Sequence, residues 1–515
     1  MLTVGGLARH NQHTWASHLA YADEKRRVTW GEFGVRTDAL GRALRAQGVG
    51  PGDRVAMIAA DCVEIAELMI ACAKIGAVRV GINHRLSTPE IAAVIDDSEP
   101  ALVFVQDENS ARASEAITEA RAGVDCMAFG GPTSEYEELI ARHPSDEPLD
   151  MTPNDLLMIC YTTGSTGLPK GALYTHQNVL HSMINIALCE GACHDDVWLH
   201  TMPAGGVPII HLCRNLYHAS STVILGKWDP DQALETIERE RITVAVFVPT
   251  MLASMLSSGS AGKTDTSSMR QFEYGGSPIP PTTIRAAMEM FKRPFLQMYG
   301  TTELTGMSHM LYPSDHRAAL ESEPRVLASI GRALPYAEAR IVDDDGNDVA
   351  KGEVGELVVA TDLAVPGYWR KPDKYAELVK DGWLYTGDLG HQDEQGYVYL
   401  VDRKMFRIKS GGYNIFPVEV ENVLAQHPDV LQVGVVGITD PRWGERVHAV
   451  VVLRNGATTE AADLITFCRG RIADFKVPKS VEFRDCLPQG ATGKILKRQI
   501  RDEVTSRELA SPMAG

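Results

Sequence analysis

The sequence predicts an α/β protein: a large N-terminal domain of α/β subdomains plus a small β subdomain, then a small α+β C-terminal domain. Three observations carry this prediction. Short apolar runs alternate with helical patterns over residues 30–105, as in a largely parallel sheet. From Ile330 onward the chain turns to short strand patterns separated by turns such as Asp344-Asp345-Gly346. Beyond a charged joint at Asp402-Arg403-Lys404 comes a compact helix–strand–strand–helix pattern. At 515 residues one hydrophobic core is not expected, and the domains are set at 1–401 and 402–515.

In order, Trp30 to Gly48 reads as a helix, with Leu40 and Leu44 at helical spacing and a Gly/Pro-rich stop. Arg54 to Ala59 reads as a buried strand, Glu64 to Gly76 as a helix with an apolar face, and Ala77 to Ile82 as the next strand. Pro89 to Ser98 is a short helix and Ala101 to Val105 a strand. Asp107 to Pro148 is more polar and reads as an irregular surface connection between subdomains. Leu156 to Cys160 is a buried strand opening the second subdomain. There Gln232 to Glu240 is helical, Thr243 to Val248 and Met269 to Tyr274 are strands, and Ser257 to Ser268 is a loop. Ala339 to Val342 and Glu356 to Ala360 are strands of the small β subdomain. The C-terminal domain reads as helix Val418 to Gln426, strands Val430 to Val436 and Arg446 to Leu453, and helix Ala461 to Arg471.

A 44% hydrophobic and 23% charged composition is that of a globular protein. A formal charge of −17 argues against a general nucleic-acid binder, which needs a basic face. The nine cysteines are scattered, and Cys189 and Cys193 lack the further ligands a zinc site requires. They read as reduced thiols of a cytoplasmic protein. Met1 to His13 lacks the pattern of a signal peptide, no apolar run reaches membrane-spanning length, and Pro-Met-Ala-Gly is not a peroxisomal signal.

The most informative stretch is Tyr161-Thr162-Thr163-Gly164-Ser165-Thr166-Gly167-Leu168-Pro169-Lys170-Gly171. Glycines bring backbone N–H groups close to an anion, hydroxyls add donors and Lys170 adds charge, which together make a phosphate cradle. It is not a Walker A loop, because no Ser or Thr follows the lysine. The plain alternative, an ordinary Gly/Ser turn, fits poorly with four hydroxyls, three glycines and a leading strand.

Four further constellations follow. Tyr299-Gly300-Thr301-Thr302-Glu303 puts a carboxylate and hydroxyls at a strand end, where Mg²⁺ could bridge phosphate oxygens and an aromatic could stack on a base. Trp383 to Gly390 holds Asp388 at a turn, able to accept two ribose hydroxyl protons. Asp402 to Tyr413 is a basic run ending in glycines; alone it reads as a solvated linker. Pro488 to Lys497 carries Lys494 on a Gly-Thr-Gly type of loop, where its charge could bridge a carboxylate and an α-phosphate as negative charge builds. Lys497 and Arg498 read as a solvated basic tail.

These five motifs, in this order, resemble the adenylate-forming superfamily of acyl- and aryl-CoA synthetases, peptide-synthetase adenylation domains and luciferases. Asn83-His84-Arg85-Leu86, Glu90 and Asp97-Ser98 extend the resemblance toward the N-terminus, with Gly81 where the family usually has proline. The resemblance implies that Thr162, Thr163, Gly164, Ser165, Thr166, Gly167 and Lys170 hold ATP phosphates. It implies that Tyr299 packs on adenine beside Gly300 and Thr301, Thr302 meets the α-phosphate, and Glu303 holds Mg²⁺. Gly275, Gly276 and Ser277 line the other side of the adenine and the acyl pocket, Asp388 binds ribose with Arg403 assisting, and Lys494 is the adenylation lysine. Lys404 and Met405 mark the hinge of a mobile C-terminal domain, although Met405 stands where relatives carry Lys or Asp. Lys409, Ser410, Gly411 and Gly412 would then serve thioester formation beside the pantetheine arm of CoA.

The implied reaction uses ATP, Mg²⁺ and CoA to convert a small-molecule carboxylic acid, through its adenylate, into an acyl- or aryl-CoA with AMP and pyrophosphate. One departure bears on the acceptor. In Pro203-Ala204-Gly205-Gly206, Gly206 replaces a histidine that gates the thiol tunnel in relatives. The alternative is therefore transfer to a carrier-protein thiol, to an amine, or into nitrite-activating diazotisation. A non-catalytic ligand sensor is a rival that the retention of Glu303, Asp388, Arg403 and Lys494 argues against. Candidate pocket walls are Gly206, Val207, Thr250, Tyr274, Gly275, Thr301, Gly306 and Met307, with Tyr274 limiting room beside the glycines. They favour an aromatic or medium-length apolar acid. His211 and Arg214 either bind a polar substituent or are structural.

Overall fold

The structure is a computed structural model that describes residues 3–121, 123–131, 134–142, 152–162, 170–411, 413–489 and 495–510. Its contacts group the chain into two compact units, Met1–Ala339 with Val359–Leu384, and Arg340–Val358 with Tyr385–Gly515.

Fifteen strands build two sheets of the first unit: β1 (Leu19–Ala22), β2 (Arg27–Thr29), β3 (Arg54–Ala59), β4 (Val78–Asn83), β5 (Leu102–Gln106), β6 (Asp125–Phe129), β7 (Leu156–Thr162), β8 (Lys170–Thr175), β9 (Val197–His200), β10 (Ser221–Ile224), β11 (Val244–Phe247), β12 (Gln271–Gly275), β13 (Phe295–Tyr299), β14 (His309–Leu311) and β15 (Arg332–Ala333). The six-stranded sheet has the order β6-β5-β3-β4-β7-β8 and is parallel except for the β7–β8 hairpin. The nine-stranded sheet has the order β15-β14-β13-β12-β11-β9-β10-β1-β2, parallel within and antiparallel at both edges. Apolar runs such as Arg-Val-Ala-Met-Ile-Ala in β3 suit a sheet covered on both faces.

Helix Val63–Ile75 was expected to have one apolar face, yet every residue except Glu64 is buried. It belongs to the main core, together with Phe33, Leu40, Leu44 and Tyr174, so it is apolar almost all round. It ends at Gly76, whose φ of 78° suits glycine. Helix Trp30–Ala46 begins with a Thr29/Glu32 capping box.

The stretch Asp107 to Pro148 is more ordered than its polarity suggests. It contributes helix Ser110–Glu119, the edge strand β6 and helix Glu135–Ala141. Tyr136 is fully buried and its hydroxyl donates to Glu67 Oε2 at 2.8 Å. Glu67 also pairs with Arg36 at 2.6 Å. This buried carboxylate joins the helix Glu135–Ala141 to the main core.

Ten more strands complete the chain: β16 (Glu338–Val342), β17 (Gly355–Ala360), β18 (Val379–Lys380), β19 (Trp383–Gln392), β20 (Val398–Arg403), β21 (Ile408–Ser410), β22 (Tyr413–Ile415), β23 (Val430–Asp440), β24 (Gly444–Leu453) and β25 (Ser480–Phe483). One five-stranded sheet has the order β16-β17-β19-β18, with β20 on β19. The other, β22-β21-β24-β23 with β25 on β24, packs around Val435, Val447, Ala449 and Leu464 in the second unit. By their contacts residues 340–358 and 385–401 group with 402–515: Asp388 faces Arg403 between β19 and β20, and Lys404 reaches Glu356 at 2.8 Å. Among the described residues no helix is long and apolar enough to cross a membrane.

Candidate active site

The candidate residues divide between the two units. In the first, β7 and β8 pair on either side of the candidate phosphate-loop sequence, with Tyr161 opposite Gly171 and Thr162 opposite Lys170. Thr163, Gly164, Ser165, Thr166 and Gly167 lie outside the described residues, as does the side chain of Thr162. Lys170 begins β8, and its Nζ stands 5.5 Å from the centre of the Tyr368 ring.

The second constellation sits beyond β13. Gly300 is required there, because a Cβ would lie 1.4 Å from the Gly306 carbonyl oxygen. That close approach folds Thr301 to Gly306 into a tight turn around the one-turn helix Thr302–Leu304. Three hydroxyls brace it: Tyr174 donates to the Thr302 carbonyl at 2.6 Å, Ser182 to that of Thr305 at 2.6 Å, and Thr305 to that of Leu363 at 2.5 Å. Glu303 is thus held on a rigid support. Its Oε1 accepts from the Tyr368 hydroxyl at 2.5 Å, while Oε2 takes no hydrogen bond from a described residue. Thr301 Oγ1 is buried and without a hydrogen-bond partner among the described residues, and such groups call for a ligand or water. One carboxylate with nearby hydroxyls suits Mg²⁺, which keeps waters and is shared with substrate phosphates, and the lysine suits those phosphates. Tyr299 is half-buried, its ring edge-on to His309 at 5.7 Å.

The end of β12 brings Gly275 against β13, where a Cβ would lie 2.4 Å from the Met298 carbonyl oxygen. Gly276 is exposed, with φ 81°, and Ser277 is half-buried. Tyr274 directly precedes these glycines in the chain. It is fully buried, with its hydroxyl 2.9 Å from His316 Nε2, on the face of β12 that carries Phe272. Gly206, Val207 and Met307 are half-buried, Gly306 is buried, and Thr250 is exposed at the start of helix Pro249–Ser257.

The loop before Gly206 is held from the other sheet. Ala204 N–H donates to Asp61 Oδ1 at 2.7 Å, and Arg79 donates to the Ala204 carbonyl at 2.7 Å. Arg79 is fully buried among apolar groups and thiols, and burial lowers its pKa. The sequence reading passed over both residues; a lone arginine inside the apolar strand β4 was the available signal. His211 is buried and its pKa lies well below the usual range, chiefly through burial. Arg214 is buried between Glu273 at 2.7 Å and Glu190 at 2.9 Å and stacks on Trp198 at 4.9 Å, so its charge is already matched. Burial, with Glu273 adding to it, pushes the Glu190 carboxyl well up.

In the second unit, Asp388 is buried on β19. Arg403 Nε binds its Oδ1 at 2.7 Å, and Arg403 also donates to the Thr386 carbonyl at 3.0 Å. Lys404 is clamped by Glu356 and Asp344, each at 2.8 Å, whereas Met405 is exposed. Lys409 is exposed, with its N–H on Glu445 at 2.7 Å, and Ser410 is buried. Gly411 has φ 58° and donates to the Trp443 carbonyl at 2.8 Å, with that indole ring packed against its Cα. Gly412 and Lys494 lie outside the described residues. Lys497 is not a solvated tail: its Nζ meets Glu421 at 2.9 Å and Asp402 at 3.7 Å.

Residues 8–369 match the AMP-binding enzyme family and residues 419–494 the AMP-binding enzyme C-terminal domain. The chain is 36% identical to an indoleacetate–CoA ligase of Aromatoleum aromaticum, over 94% of each chain. It is 34% identical to a fatty acid–[acyl-carrier-protein] ligase of Streptomyces coeruleorubidus, over 96% of this chain and 94% of that one. The solved amide bond synthetase of Marinactinospora thermotolerans superposes with a TM-score of 0.86 at 29% identity, over 98% of this chain and all of that one. By these matches over most of its length this chain belongs to the AMP-binding enzyme family and is an ATP-dependent, adenylate-forming acid ligase.

Proposed function

We propose that the enzyme joins an aromatic or medium-length apolar carboxylic acid to CoA, releasing AMP and pyrophosphate. The observation that carries this reading is the braced turn of Thr301 to Gly306, which sets Glu303 on Tyr368, the side chain that also meets Lys170, and holds a Thr301 hydroxyl without a partner among the described residues. ATP and the acid are both anions, so the first task is to offset their repulsion. Lys170 and the phosphate loop Thr162 to Gly167 hold the β- and γ-phosphates. Mg²⁺ held by Glu303 would supply further positive charge there. Thr302 and Lys494 meet the α-phosphate, and Lys494 stabilises the charge that builds as the carboxylate attacks and pyrophosphate leaves. Tyr299, Gly300, Gly276 and Ser277 hold the adenine; Asp388 binds ribose with Arg403.

For the second step the domains divide at 401/402, and the C-terminal part pivots at Lys404 and Met405. Lys409, Ser410, Gly411 and Gly412 then approach the thiol that attacks the adenylate and displaces AMP. The acid lies among Gly206, Val207, Thr250, Gly275, Gly306 and Met307, walls with little charge. Similarity to an indoleacetate–CoA ligase supports an aromatic acid and CoA. Nine free cysteines are consistent with a reducing, cytoplasmic setting.

A second reading, transfer to a carrier-protein thiol or an amine, is favoured by Gly206, where an added Cβ would meet nothing closer than Pro208 Cδ at 3.8 Å. The two readings separate in one experiment. A panel of carboxylic acids is screened for acid-dependent pyrophosphate exchange. The best acid is then incubated with ATP and either CoA, a phosphopantetheinyl carrier or a primary amine, and the products are read by mass spectrometry. An acyl-CoA made faster than the other products supports the first reading; an amide or acyl-carrier formed at ten times its rate replaces it.

A further inference from the structure

We infer that Tyr368 is a positioning residue that sets Glu303 and Lys170 for one metal–nucleotide complex, its hydroxyl fixing the carboxylate and its ring guiding the ammonium. The inference rests on the nucleotide reading of those two residues given above and adds a third residue that neither family motif nor composition singled out.

The geometry is specific. Tyr368 is 4% exposed and lies on the connection that follows β17. That connection is laid along β8 by main-chain bonds: Leu173 N–H donates to the Gly367 carbonyl at 3.0 Å and Trp369 N–H to that of Gly171 at 2.7 Å, with a bridge between Ala172 and Tyr368. The same connection reaches the Glu303 turn, where Val365 N–H donates to the Glu303 carbonyl at 2.9 Å. Tyr368 therefore stands on a strap bonded both to the exit of the phosphate loop and to the carboxylate turn. From there its hydroxyl donates to Glu303 Oε1 at 2.5 Å, and its ring centre lies 5.5 Å from Lys170 Nζ.

Each contact has a defined effect. A carboxylate rotating freely presents either oxygen to a cation; one tied at Oε1 presents Oε2 in a fixed direction. A lysine ammonium near an aromatic ring is attracted to it without losing its own hydrogen-bond donors. Tyr375, edge-on at 5.7 Å, and its bond to the Val365 carbonyl keep the ring from turning.

The test compares Tyr368→Phe, which removes only the hydroxyl, with Tyr368→Leu, which also removes the ring. Binding of ATP in the presence of Mn²⁺ or Mg²⁺, and of AMP without metal, is measured by titration calorimetry on the full-length protein. Tyr368→Phe should weaken metal-dependent ATP binding about fivefold or more, the loss of a charge-assisted hydrogen bond. It should leave AMP binding, which involves neither the β- nor the γ-phosphate, within about twofold by the same reasoning. Tyr368→Leu should weaken ATP binding further. Equal loss of ATP and AMP binding would indicate a structural role and overturn the inference, as would unchanged metal dependence in Tyr368→Phe. Should Tyr368→Leu unfold, Tyr368→Phe alone decides. Wild-type protein that binds neither nucleotide overturns the nucleotide reading itself, and this inference with it.

Discussion

Gly81 of β4 and Gly205 of the loop before Gly206 meet backbone to backbone. A Cβ on Gly81 would lie 2.5 Å from the Gly205 carbonyl oxygen, and a Cβ on Gly205 would lie 2.6 Å from the amide nitrogen of Asn83. The two glycines let the loop sink onto the strand until Asp61 and Arg79 can grip both backbone groups of Ala204. Gly81 and the loop before Gly206 are thus one packing solution.

Gly81→Ala is therefore expected to destabilise the protein by about 1–3 kcal/mol, the usual cost of overpacking. It should also lower the transfer step more than adenylate formation, since the displaced loop carries Gly206. Gly206→Ala, in open space, should change stability by less than about 0.5 kcal/mol. Urea denaturation of the two variants, alongside separate assays of pyrophosphate exchange and of product from supplied adenylate, checks both statements. A Gly81→Ala protein as stable as wild type would show that the loop yields freely.

Arg214 distinguishes a pocket residue from a core residue. It bridges two fully buried carboxylates, Glu190 and Glu273, neither of which has another cation as near. Arg214→Met leaves both without that partner and is expected to cost about 3–5 kcal/mol. The loss should be smaller at pH 5 than at pH 8, because Glu190, already pushed up by burial, can take a proton. Chemical denaturation at the two pH values measures this. A stable Arg214→Met enzyme with altered acid preference would return Arg214 to the pocket.

Much of this was legible in the sequence, and the failures have identifiable causes. Strands such as Arg54–Ala59 and Phe295–Tyr299 declare themselves by apolar runs, because a parallel strand is buried on both faces. The stretch Asp107 to Pro148 did not, because its helices bury only narrow faces, Ala113 and Ala116 in one and Tyr136 and Leu139 in the other. Candidate site residues within contiguous motifs, such as Glu303 and Asp388, could be named from their neighbours. Tyr368 could not, because it is 65 residues from Glu303 and meets it only once its strap folds onto β8 and the Glu303 turn. Lys497 looked like a solvated tail because its partners, Glu421 and Asp402, are far away in the chain.

Two buried histidines predict how stability depends on pH. His176 accepts the Val4 N–H at Nδ1, and burial holds its pKa at about 4. His316 donates from Nδ1 to the Tyr312 carbonyl and accepts the Tyr274 hydroxyl at Nε2, and its pKa is likewise about 4. Both are neutral in the fold and protonate near 6.5 when unfolded. Stability is therefore full above pH 6.5 and falls as pH drops toward 4, by about 3 kcal/mol per histidine. Denaturation between pH 7.5 and 4.5 should show this slope, and His176→Gln should make it shallower. An unchanged slope in the variant would remove His176 from the account.

Lys497 bears on how Lys494 is delivered. Three residues before Lys497, Lys494 is proposed to bridge the carboxylate and the α-phosphate. Lys497 itself begins helix Lys497–Ala510 and is anchored by Glu421 at 2.9 Å and Asp402 at 3.7 Å. Burial raises the Glu421 carboxyl, and the lysine beside it pulls it back down. Lys494→Ala should abolish adenylate formation while supplied acyl-adenylate still reacts at close to the wild-type rate. Lys497→Ala should slow adenylate formation about tenfold by loosening the anchor, and Lys497→Arg should restore most of it, since the charge is kept. The two half-reactions are measured separately, by pyrophosphate exchange and by product from supplied adenylate. Equal loss of both in Lys494→Ala would mean that one lysine serves both steps, which a pivoting C-terminal part does not allow. Equal loss in Lys497→Ala, with normal unfolding, would mean that the anchor supports the whole C-terminal unit and not the lysine-bearing segment alone.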